Sequence, residues 1–220
     1  MIVASFYAPR PGYPQHDPYD FVECLELQRE SCRRFGCEHL VLTDSVPASE
    51  LAAFATFTVA LPQNVMLASL QAQYAYLISA PVDDVLLLDA DGVLGQDPRA
   101  LFDGSFDLAV TTHPFLDSIL NNGLIAVAKG SSSSVARFWR DALTRCGAEW
   151  GEDQKALRDA VGATLEHGVY DRAGLRVKFL PCPGYNWAPE GVDDPVDAVF
   201  VHFRGPRKRY MRNWVERNAA

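Results

Sequence analysis

The stretch Val85-Leu86-Leu87-Leu88-Asp89-Ala90-Asp91 decides the fold of this chain. Its four consecutive apolar residues lie next to acidic ones, as is typical of a central strand that is covered on both faces. Strand and helix patterns alternate along residues 1–90. This alternation predicts a parallel α/β sheet. Ligands of such sheets bind beyond the carboxyl ends of the strands, where we expect Asp44, Asp89 and Asp91.

The pattern outside this stretch predicts the other elements. Apolar runs predict strands at residues 2–8, 39–43, 57–61, 106–111, 123–128, 177–180 and 199–203. Helical periodicity predicts helices at residues 20–35, 64–80 and 152–161, and a further helix that begins at the serine run 131–134. Since 220 residues suit one core and no internal repeat divides them, we expect a single domain over residues 1–220.

The charge is unevenly distributed along the chain. With 48% hydrophobic residues and a net charge of −8, the protein is neither disordered nor fibrous, and a general nucleic-acid coat is disfavoured. Residues 203–220 contain six basic side chains and one acidic one, a charge of +5, whereas residues 1–202 contain 14 basic and 27 acidic ones, a charge of −13. The basic end is either a solvated tail or a segment that folds back onto the acidic body.

Cysteine content and hydropathy predict the compartment. The five cysteines are an odd number without a Cys-X-X-Cys pair, which favours free thiols in a reducing environment. The apolar run at residues 2–8 is not preceded by basic residues, so it does not resemble a signal peptide. No apolar stretch approaches the ~20 residues of a membrane helix. We therefore expect a cytoplasmic protein with no transmembrane segment.

The pair Asp89 and Asp91 is the strongest chemical signal. Two carboxylates directly after a buried strand suit a hard divalent cation such as Mn²⁺ or Mg²⁺, which would keep coordination positions open for a diphosphate. Two acids in a solvated turn are the alternative, because Asp-X-Asp is a common pattern. Haloacid-type phosphatases also use a strand followed by Asp-X-Asp, but near the first strand, whereas this pair lies in the middle of the chain.

A second signal lies at the last predicted strand. His202 ends this strand, and Gly205 and Lys208 follow it. A neutral imidazole can complete a metal shell, a lysine can bind phosphate as a point charge, and a glycine permits close backbone approach. Taken alone, His202 is equally consistent with an ordinary surface or core histidine, and the basic run with a solvated tail.

Three weaker motifs contain amide, carboxylate and aromatic groups. Asn121-Asn122-Gly123 offers two amides for sugar hydroxyls, or forms a simple Asn-Gly turn. Asp153 and Gln154 lie at a predicted helix start, where they either cap the helix or face a substrate. Residues 180–187 form an aromatic loop that ordinary packing also explains.

Taken in order, these five motifs resemble one family. The order is Asp-Ala-Asp after an apolar strand, then Asn-Asn-Gly, Asp-Gln, Leu-Pro…Tyr-Asn and His-X-X-Gly-X-X-Lys. This order is similar to the pattern of glycosyltransferase family 8, which includes glycogenin and the bacterial lipopolysaccharide galactosyltransferases. The resemblance spans residues 2–210. It implies an α/β fold of the GT-A, Rossmann-like type, with a mixed, mainly parallel central sheet flanked by helices. It also implies a metal-dependent transfer of a sugar from a nucleotide-diphosphate donor, a UDP-sugar, to a hydroxyl acceptor with retention.

The resemblance also implies a role for each matching residue. Asp89, Asp91 and His202 would ligate Mn²⁺ or Mg²⁺. Asp153 and Gln154 would contact the transferred sugar and take part in catalysis with Lys208, while segment 203–220 would fold over the donor. The residues that would bind the donor are Ser5, Phe6, Tyr7, Asp44, Ala90, Asn121, Asn122, Gly205, Lys208 and Arg209.

The acceptor and two other functions remain open from sequence. A saccharide, a lipid-linked glycan, a protein side chain and a modified nucleic-acid base all offer a hydroxyl. A sugar-1-phosphate nucleotidyltransferase shares the sheet type, but its Gly-rich phosphate loop would have to be residues 9–14, which contain only Arg10 and Gly12 as suitable residues. A catalytically inactive nucleotide-sugar-binding module would retain the same motifs.

Overall fold

A computed structural model describes residues 1–9, 20–46, 49–115, 118–194 and 197–218. The predicted loop at residues 9–14, with Arg10 and Gly12, lies outside the described residues from residue 10 onward. The helices are α1 (Phe21–Arg34), α2 (Val65–Ile78), α3 (Ser132–Arg145), α4 (Glu152–Val161), α5 (Cys182–Tyr185) and α6 (Met211–Asn218). The strands are β1 (Ile2–Phe6), β2 (Glu38–Asp44), β3 (Ala55–Val59), β4 (Val85–Leu88), β5 (Gly92–Leu94), β6 (Leu108–Thr112), β7 (Leu120–Val127), β8 (Gly168–Arg172), β9 (Leu175–Pro181), β10 (Asn186–Trp187) and β11 (Phe200–His202).

The main sheet has eight strands in the order β3-β2-β1-β4-β7-β6-β9-β8. β3, β2, β1 and β4 pair in parallel, and β6 pairs in parallel with β9. β7 runs antiparallel to both of its neighbours, and β8 runs antiparallel to β9. The prediction of a mixed, mainly parallel sheet flanked by helices is confirmed.

β4 lies at the centre of this sheet and has the predicted bounds. Val85 and Leu87 pack into the core between the sheet and the α2–α3 face, together with Trp139. Leu86 and Leu88 pack on the opposite face. Each buried leucine contributes about 1.5–3 kcal/mol relative to an exposed one, so burial on both faces fixes the strand and the acidic turn that follows it.

The predicted helices form with small shifts in their bounds. α1 begins after Asp20, whose side chain accepts hydrogen bonds from the amides of Val22 and Glu23, and α2 begins after Asn64, which accepts from the Leu67 amide. The serine run starts α3, as predicted. In the part of the chain that is described, no helix has the length and apolar character needed to cross a membrane.

Two strand predictions differ from the structure in a way that affects the site. The expected strand 123–128 begins earlier, at Leu120, so Asn121-Asn122-Gly123 lies inside β7 instead of opening it. The register between β6 and β7 shifts between Val110 and Thr111, so this segment sits at a β-bulge and not in an Asn-Gly turn. The strand expected at 57–61 lies at Ala55–Val59. Bulges re-aim side chains, and this one includes the two asparagines.

A second, three-stranded sheet has the order β10-β11-β5. β5, which the sequence pattern did not predict, pairs antiparallel with β11 and places His202 opposite Gly92. A Cβ atom on Gly92 would lie 2.2 Å from the Phe200 ring, so only glycine fits there. This pairing joins the last strand of the chain to the segment directly after Asp91.

The basic segment after β11 is folded against the body. Residues Gly205–Tyr210 form a 3₁₀ helix that leads into α6. Met211 and Trp214 of α6 pack against Cys24 and Leu27 of α1. Ion pairs join this segment to acidic residues elsewhere, namely Arg207 to Glu190, Arg212 to Glu23 and Arg217 to Asp193.

Candidate functional site

Asp89 and Asp91 lie in the turn between β4 and β5, at the carboxyl end of the central strand. The Asp89 amide donates to the carbonyl of Gly123 in β7 at 3.2 Å, and the Asp91 carbonyl accepts from the Phe203 amide at 2.8 Å. The turn is therefore attached both to the main sheet and to the end of the chain.

His202 brings an imidazole to the two carboxylates. Its Nε2 atom lies 2.9 Å from Oδ1 of Asp91 and 3.5 Å from Oδ2 of Asp89. The three ligand atoms all lie within 4.8 Å of one another. His202 and Asp91 are nearly buried, whereas 45% of the Asp89 side chain is exposed, so the group opens toward solvent on one side. Two carboxylate oxygens and one imidazole nitrogen with an open side fit a divalent cation that keeps free coordination positions.

A chain of hydrogen bonds orients the imidazole. The Thr111 hydroxyl donates to the Asn121 carbonyl at 2.9 Å, so its oxygen accepts from the Asn186 amide nitrogen at 3.0 Å. The Asn186 amide oxygen then faces Nδ1 of His202 at 3.2 Å, and Nδ1 must donate to it. Because Nδ1 donates to Asn186, Nε2 is the nitrogen that faces the two carboxylates, where it donates to Asp91 and can ligate a metal once it gives up that proton.

Gly123 makes room for His202. A Cβ atom at this position would lie 2.5 Å from Nδ1 of His202 and 2.9 Å from Nδ2 of Asn186. Real Cβ atoms do not approach ring atoms this closely, and both neighbours are held by hydrogen bonds. The glycine of the Asn-Asn-Gly motif thus serves close packing against the imidazole.

Lys208 completes the charged cluster. Its Nζ atom lies 2.9 Å from Oδ2 of Asp91, and only 5% of its side chain is exposed. The same nitrogen lies 5.2 Å from the ring centroid of Phe21. Gly205 has a left-handed φ of +56° at the start of the 3₁₀ helix, which favours glycine there and turns the chain so that Lys208 faces Asp91.

The charges shift the pKa values of the two carboxyls in opposite directions. Withdrawal from water alone would raise the pKa of Asp91, but His202 and Lys208 outweigh it and hold this pKa well below its usual range. At Asp89, withdrawal from water raises the pKa and the Asp91 carboxylate adds to the rise, while His202 and the more distant cations oppose it. Asp91 is therefore the more readily ionised carboxyl of the pair.

A second polar group, formed by β7 and the start of α4, lies beside the first. Withdrawal from water raises the pKa of Asp153 to about 6, the Asp89 charge adds to the rise, and a hydrogen bond with the Asn122 side chain opposes it. The Asn122 amide donates to Oε1 of Gln154 at 3.4 Å. Among the described residues, Oδ1 of Asn122 accepts no hydrogen bond, although this atom is buried. Such orphaned buried amide atoms are typical of positions that a ligand satisfies.

The other residues that were predicted to bind the nucleotide-sugar donor have different surroundings. The Ser5 hydroxyl is buried and donates to Gln28, and the Asp44 carboxylate accepts from the Ser45 amide. Phe6 packs at the edge of the main core, while Ala90 and Tyr7 belong to a small apolar cluster with Leu25 and Val41. The Arg209 guanidinium lies 4.6 Å from the ring centroid of Tyr210 and is exposed. The structure thus brings together Asp89, Asp91, His202 and Lys208, and separately Asn122, Asp153 and Gln154.

One residue of the site region, Gln28, was missed from sequence, although it hydrogen-bonds the backbone of the acidic turn. Asn186 belongs to the Leu-Pro…Tyr-Asn motif and Thr111 ends a predicted strand, but their part in orienting His202 is visible only in the structure. Gln28 lies three or four positions from the buried residues Cys24, Leu25 and Cys32. A polar residue on the apolar face of an amphipathic helix was the available signal.

Comparison with known proteins identifies the fold. No protein-family model matches the sequence, and no curated protein is significantly similar to it. A solved glycosyltransferase involved in the glycosylation of the major capsid of PBCV-1 superposes with a TM-score of 0.60 and 16% identity, covering 96% of this chain and 98% of that chain. The chain has the GT-A glycosyltransferase fold.

Other GT-A structures give the same result. The galactosyltransferase LgtC, solved with donor and acceptor sugar analogs, has a TM-score of 0.55 and 16% identity, covering 100% of this chain and 94% of that chain. The glycosyltransferase GlyE of Streptococcus pneumoniae TIGR4 has a TM-score of 0.61 and 16% identity, covering 100% of this chain and 60% of that chain. At these identities the likeness establishes the GT-A fold, and the chemistry has to be argued from the site.

Proposed function

We propose that this chain is a metal-dependent glycosyltransferase that moves a sugar from a UDP-sugar to a hydroxyl group of an acceptor, with retention of the anomeric configuration. The observation that supports this most strongly is the convergence of two carboxylates, one imidazole and one ammonium group at the carboxyl end of β4. The order of the sequence motifs and the GT-A fold agree with it.

Asp89, Asp91 and His202 are the proposed ligands of the metal. The mixed oxygen and nitrogen set favours Mn²⁺ over Mg²⁺, which prefers oxygen ligands and retains its water. When bound, the metal would neutralise charge that develops on the leaving diphosphate. The hydrogen bond from His202 to Asn186 keeps Nε2 available as a ligand, and the carboxylate of Asp91 stays ionised at neutral pH.

Lys208 is proposed to bind the diphosphate. Its Nζ atom lies at the edge of the carboxylate pair, where it can contact Asp91 and a phosphate oxygen together. Arg204 acts on the Asp89 carboxyl through its charge, so it also lies near enough to favour an anion there. A lysine in a site nearly closed to water stabilises a developing negative charge more strongly than a solvated one does.

The second polar group is proposed to hold the transferred sugar. Amide atoms of Asn121 and Asn122 would hydrogen-bond sugar hydroxyls, and Asp153 and Gln154 would lie near the anomeric carbon. In the step itself the bond from the anomeric carbon to the diphosphate oxygen breaks and a bond to the acceptor oxygen forms on the same face. The proton of the acceptor hydroxyl passes to the departing diphosphate, so no protein nucleophile is needed.

The proposal includes a compartment and a class of acceptor. All five cysteines are free thiols, which fits a cytoplasmic enzyme. The acceptor supplies a free hydroxyl from a saccharide, a lipid-linked glycan, a protein side chain or a modified nucleic-acid base. A thermal-shift panel of nucleotide sugars with Mn²⁺ would first identify the donor. Transfer assays with that donor and each of the four acceptor classes would then identify the acceptor.

Substitution of the two carboxylates tests the proposal. Asp89→Asn and Asp91→Asn each remove a charged metal ligand, so we expect Mn²⁺-dependent hydrolysis or transfer from the UDP-sugar to fall at least about 100-fold. Asp97→Asn is a matched control, because that exposed carboxylate pairs with Arg99 instead of facing the site. Wild-type rates in both site variants would refute the proposal. Tight binding of UDP and Mn²⁺ by the unmodified protein, without turnover of any donor, would identify an inactive binding module.

A further inference from the structure

Gln28 of α1 is a fully buried glutamine that lies beneath the acidic turn. Its Nε2 atom donates to the Asp89 carbonyl at 2.9 Å and to the Gly92 carbonyl at 2.9 Å. Gln28 therefore contacts the backbone at both ends of residues 89–92. Because both contacts come from one planar amide group, they fix the separation of the Asp89 and Gly92 carbonyls.

The orientation of this amide is determined by its partners. Two carbonyl oxygens can only accept hydrogen bonds, so the amide nitrogen must face them. On the other side, Oε1 of Gln28 accepts from the Ser5 hydroxyl at 2.5 Å and lies 2.9 Å from Nε2 of His39. Because Oε1 has no proton, Nε2 of His39 must be the donor. All four hydrogen-bonding positions of the Gln28 side chain are thus occupied.

The network connects the turn to rigid parts of the fold. Ser5 lies in β1 and His39 in β2. These two strands are paired in parallel, and β1 also pairs with β4. Burial lowers the pKa of His39 to about 4, so the ring is neutral at physiological pH and its one N–H is directed at Gln28. A side chain fixed by two strands and a helix can hold a turn to within a few tenths of an ångström more reliably than the turn residues alone.

We propose that Gln28 is a positioning residue, which holds the turn at residues 89–92 in the geometry that binds the metal. This inference rests on the metal-dependent function proposed above. Gln28 does not touch the ligand oxygens. It acts through the backbone of Asp89 and Gly92, so that Asp89 and Asp91 keep their spacing from His202. Outer groups that orient metal ligands typically contribute 10- to 100-fold to metal affinity.

Gln28→Leu tests this inference, because leucine has a similar volume and removes both donated hydrogen bonds. We expect the affinity for Mn²⁺, measured by calorimetric titration of the nucleotide-free protein, to fall about 10- to 100-fold. Hydrogen exchange of the backbone amides in residues 89–92 should become faster. Saturating Mn²⁺ should restore kcat with a UDP-sugar, since the ligands themselves remain.

Gln73→Leu is the matched control. Gln73 is also a buried glutamine on a helix, but its Oε1 accepts from the Trp139 indole between α2 and α3, away from the turn. This variant should lose comparable thermal stability and keep wild-type Mn²⁺ affinity and exchange at residues 89–92. If Gln28→Leu matches Gln73→Leu in both measurements, the inference is wrong.

Two further outcomes separate this inference from the proposed function. If the unmodified protein binds no Mn²⁺, the proposed function fails. Independently of that result, unchanged hydrogen exchange at residues 89–92 in Gln28→Leu would overturn the positioning role. If Gln28→Leu does not fold, Ser5→Ala decides the question, because it frees one side of the Gln28 amide with a small change of volume. Faster exchange at residues 89–92 and a several-fold weaker Mn²⁺ affinity would support the role, and wild-type values of both would overturn it.

Discussion

At the scale of single residues, the site depends on a position that has no side chain. Gly123 lies so close to His202 that a Cβ atom would be 2.5 Å from Nδ1. Gly123→Ala should therefore displace the imidazole and lower the affinity for Mn²⁺ at least about 10-fold. The crowding should also cost about 1–3 kcal/mol of unfolding free energy.

Calorimetry with Mn²⁺ and urea unfolding would measure these two effects of Gly123→Ala. Gly184→Ala is the control, since nothing lies within 4 Å of an added Cβ there. Equal Mn²⁺ affinities in the two variants would contradict the role assigned to the close contact.

Asp153 makes a prediction about pH. Withdrawal from water raises its pKa from 3.8 to about 6 in the folded protein. The contribution of Asp153 to the free energy of unfolding is fully present below pH 3.8. It is lost as pH rises through 6, because the folded protein disfavours the ionised carboxylate. Asp153→Asn should thus stabilise the protein by up to about 3 kcal/mol at pH 8 and by much less at pH 4.

Urea unfolding of the wild type and Asp153→Asn at both pH values would check this prediction. The same shift predicts that sugar transfer by the wild type falls below about pH 6, where the carboxylate takes up a proton. A stability difference that does not change with pH would show that Asp153 ionises normally.

At the scale of elements, α6 holds the segment that contains Lys208. Trp214 of α6 is nearly buried and packs edge-on against Phe203, with ring centroids 6.1 Å apart. Trp214→Ala should cost about 3–5 kcal/mol and loosen the preceding 3₁₀ helix. Binding of UDP to the Mn²⁺-loaded protein should weaken several-fold, while the affinity for Mn²⁺ itself changes little, because Lys208 and not a metal ligand is released.

Arg212→Ala is the control within the same helix. It removes an exposed ion pair with Glu23, which contributes at most about 1 kcal/mol. Fluorescence titrations with Mn²⁺ and then UDP would separate the two affinities. A loss of Mn²⁺ affinity in Trp214→Ala as large as the loss for UDP would show that α6 supports the whole site.

The elements also show what the sequence could predict. Long periodic segments such as α1 and α2, and the continuous apolar run of β4, follow directly from burial, so their place and type could be read from the residues. β5, β8 and β10 were missed. β5 has three residues and exists because it pairs with β11, about a hundred positions later, and such a partner leaves no local pattern.

Some residues of the candidate site could also be predicted from sequence, and others could not. Asp89, Asp91 and His202 could be proposed from their place after strands, and the structure brings them together. Gln28 and Gly123 owe their roles to contacts with residues distant in sequence, and such contacts are properties of the tertiary structure. The sequence did contain one clue to each, a polar residue on an apolar helix face and a glycine after two asparagines.

At the scale of the whole molecule, His39 makes stability depend on acid. Burial lowers its pKa from 6.5 to about 4 in the folded state. The unfolded chain therefore binds more protons between these values, so the stabilisation is full above pH 6.5 and is lost as pH falls toward 4. The loss should reach about 3 kcal/mol at pH 4.

His39→Gln isolates this contribution from that of the acidic side chains. Urea unfolding between pH 7.5 and 4 should show that the free energy of unfolding falls about 3 kcal/mol further in the wild type than in His39→Gln. Parallel curves for the two proteins would mean that His39 takes up its proton equally in the folded and unfolded states.

The pairing of β11 with β5 has a consequence for synthesis. His202 lies 111 positions after Asp91, and Lys208 comes later still. A nascent chain that has released the whole main sheet from the ribosome, up to its last strand β9, still lacks the imidazole and the ammonium group. During translation the two carboxylates thus stand without their partners until residues 202 to 208 have been made. A chain cut off before residue 202 would therefore hold the two carboxylates without the imidazole and the ammonium group that lie against them.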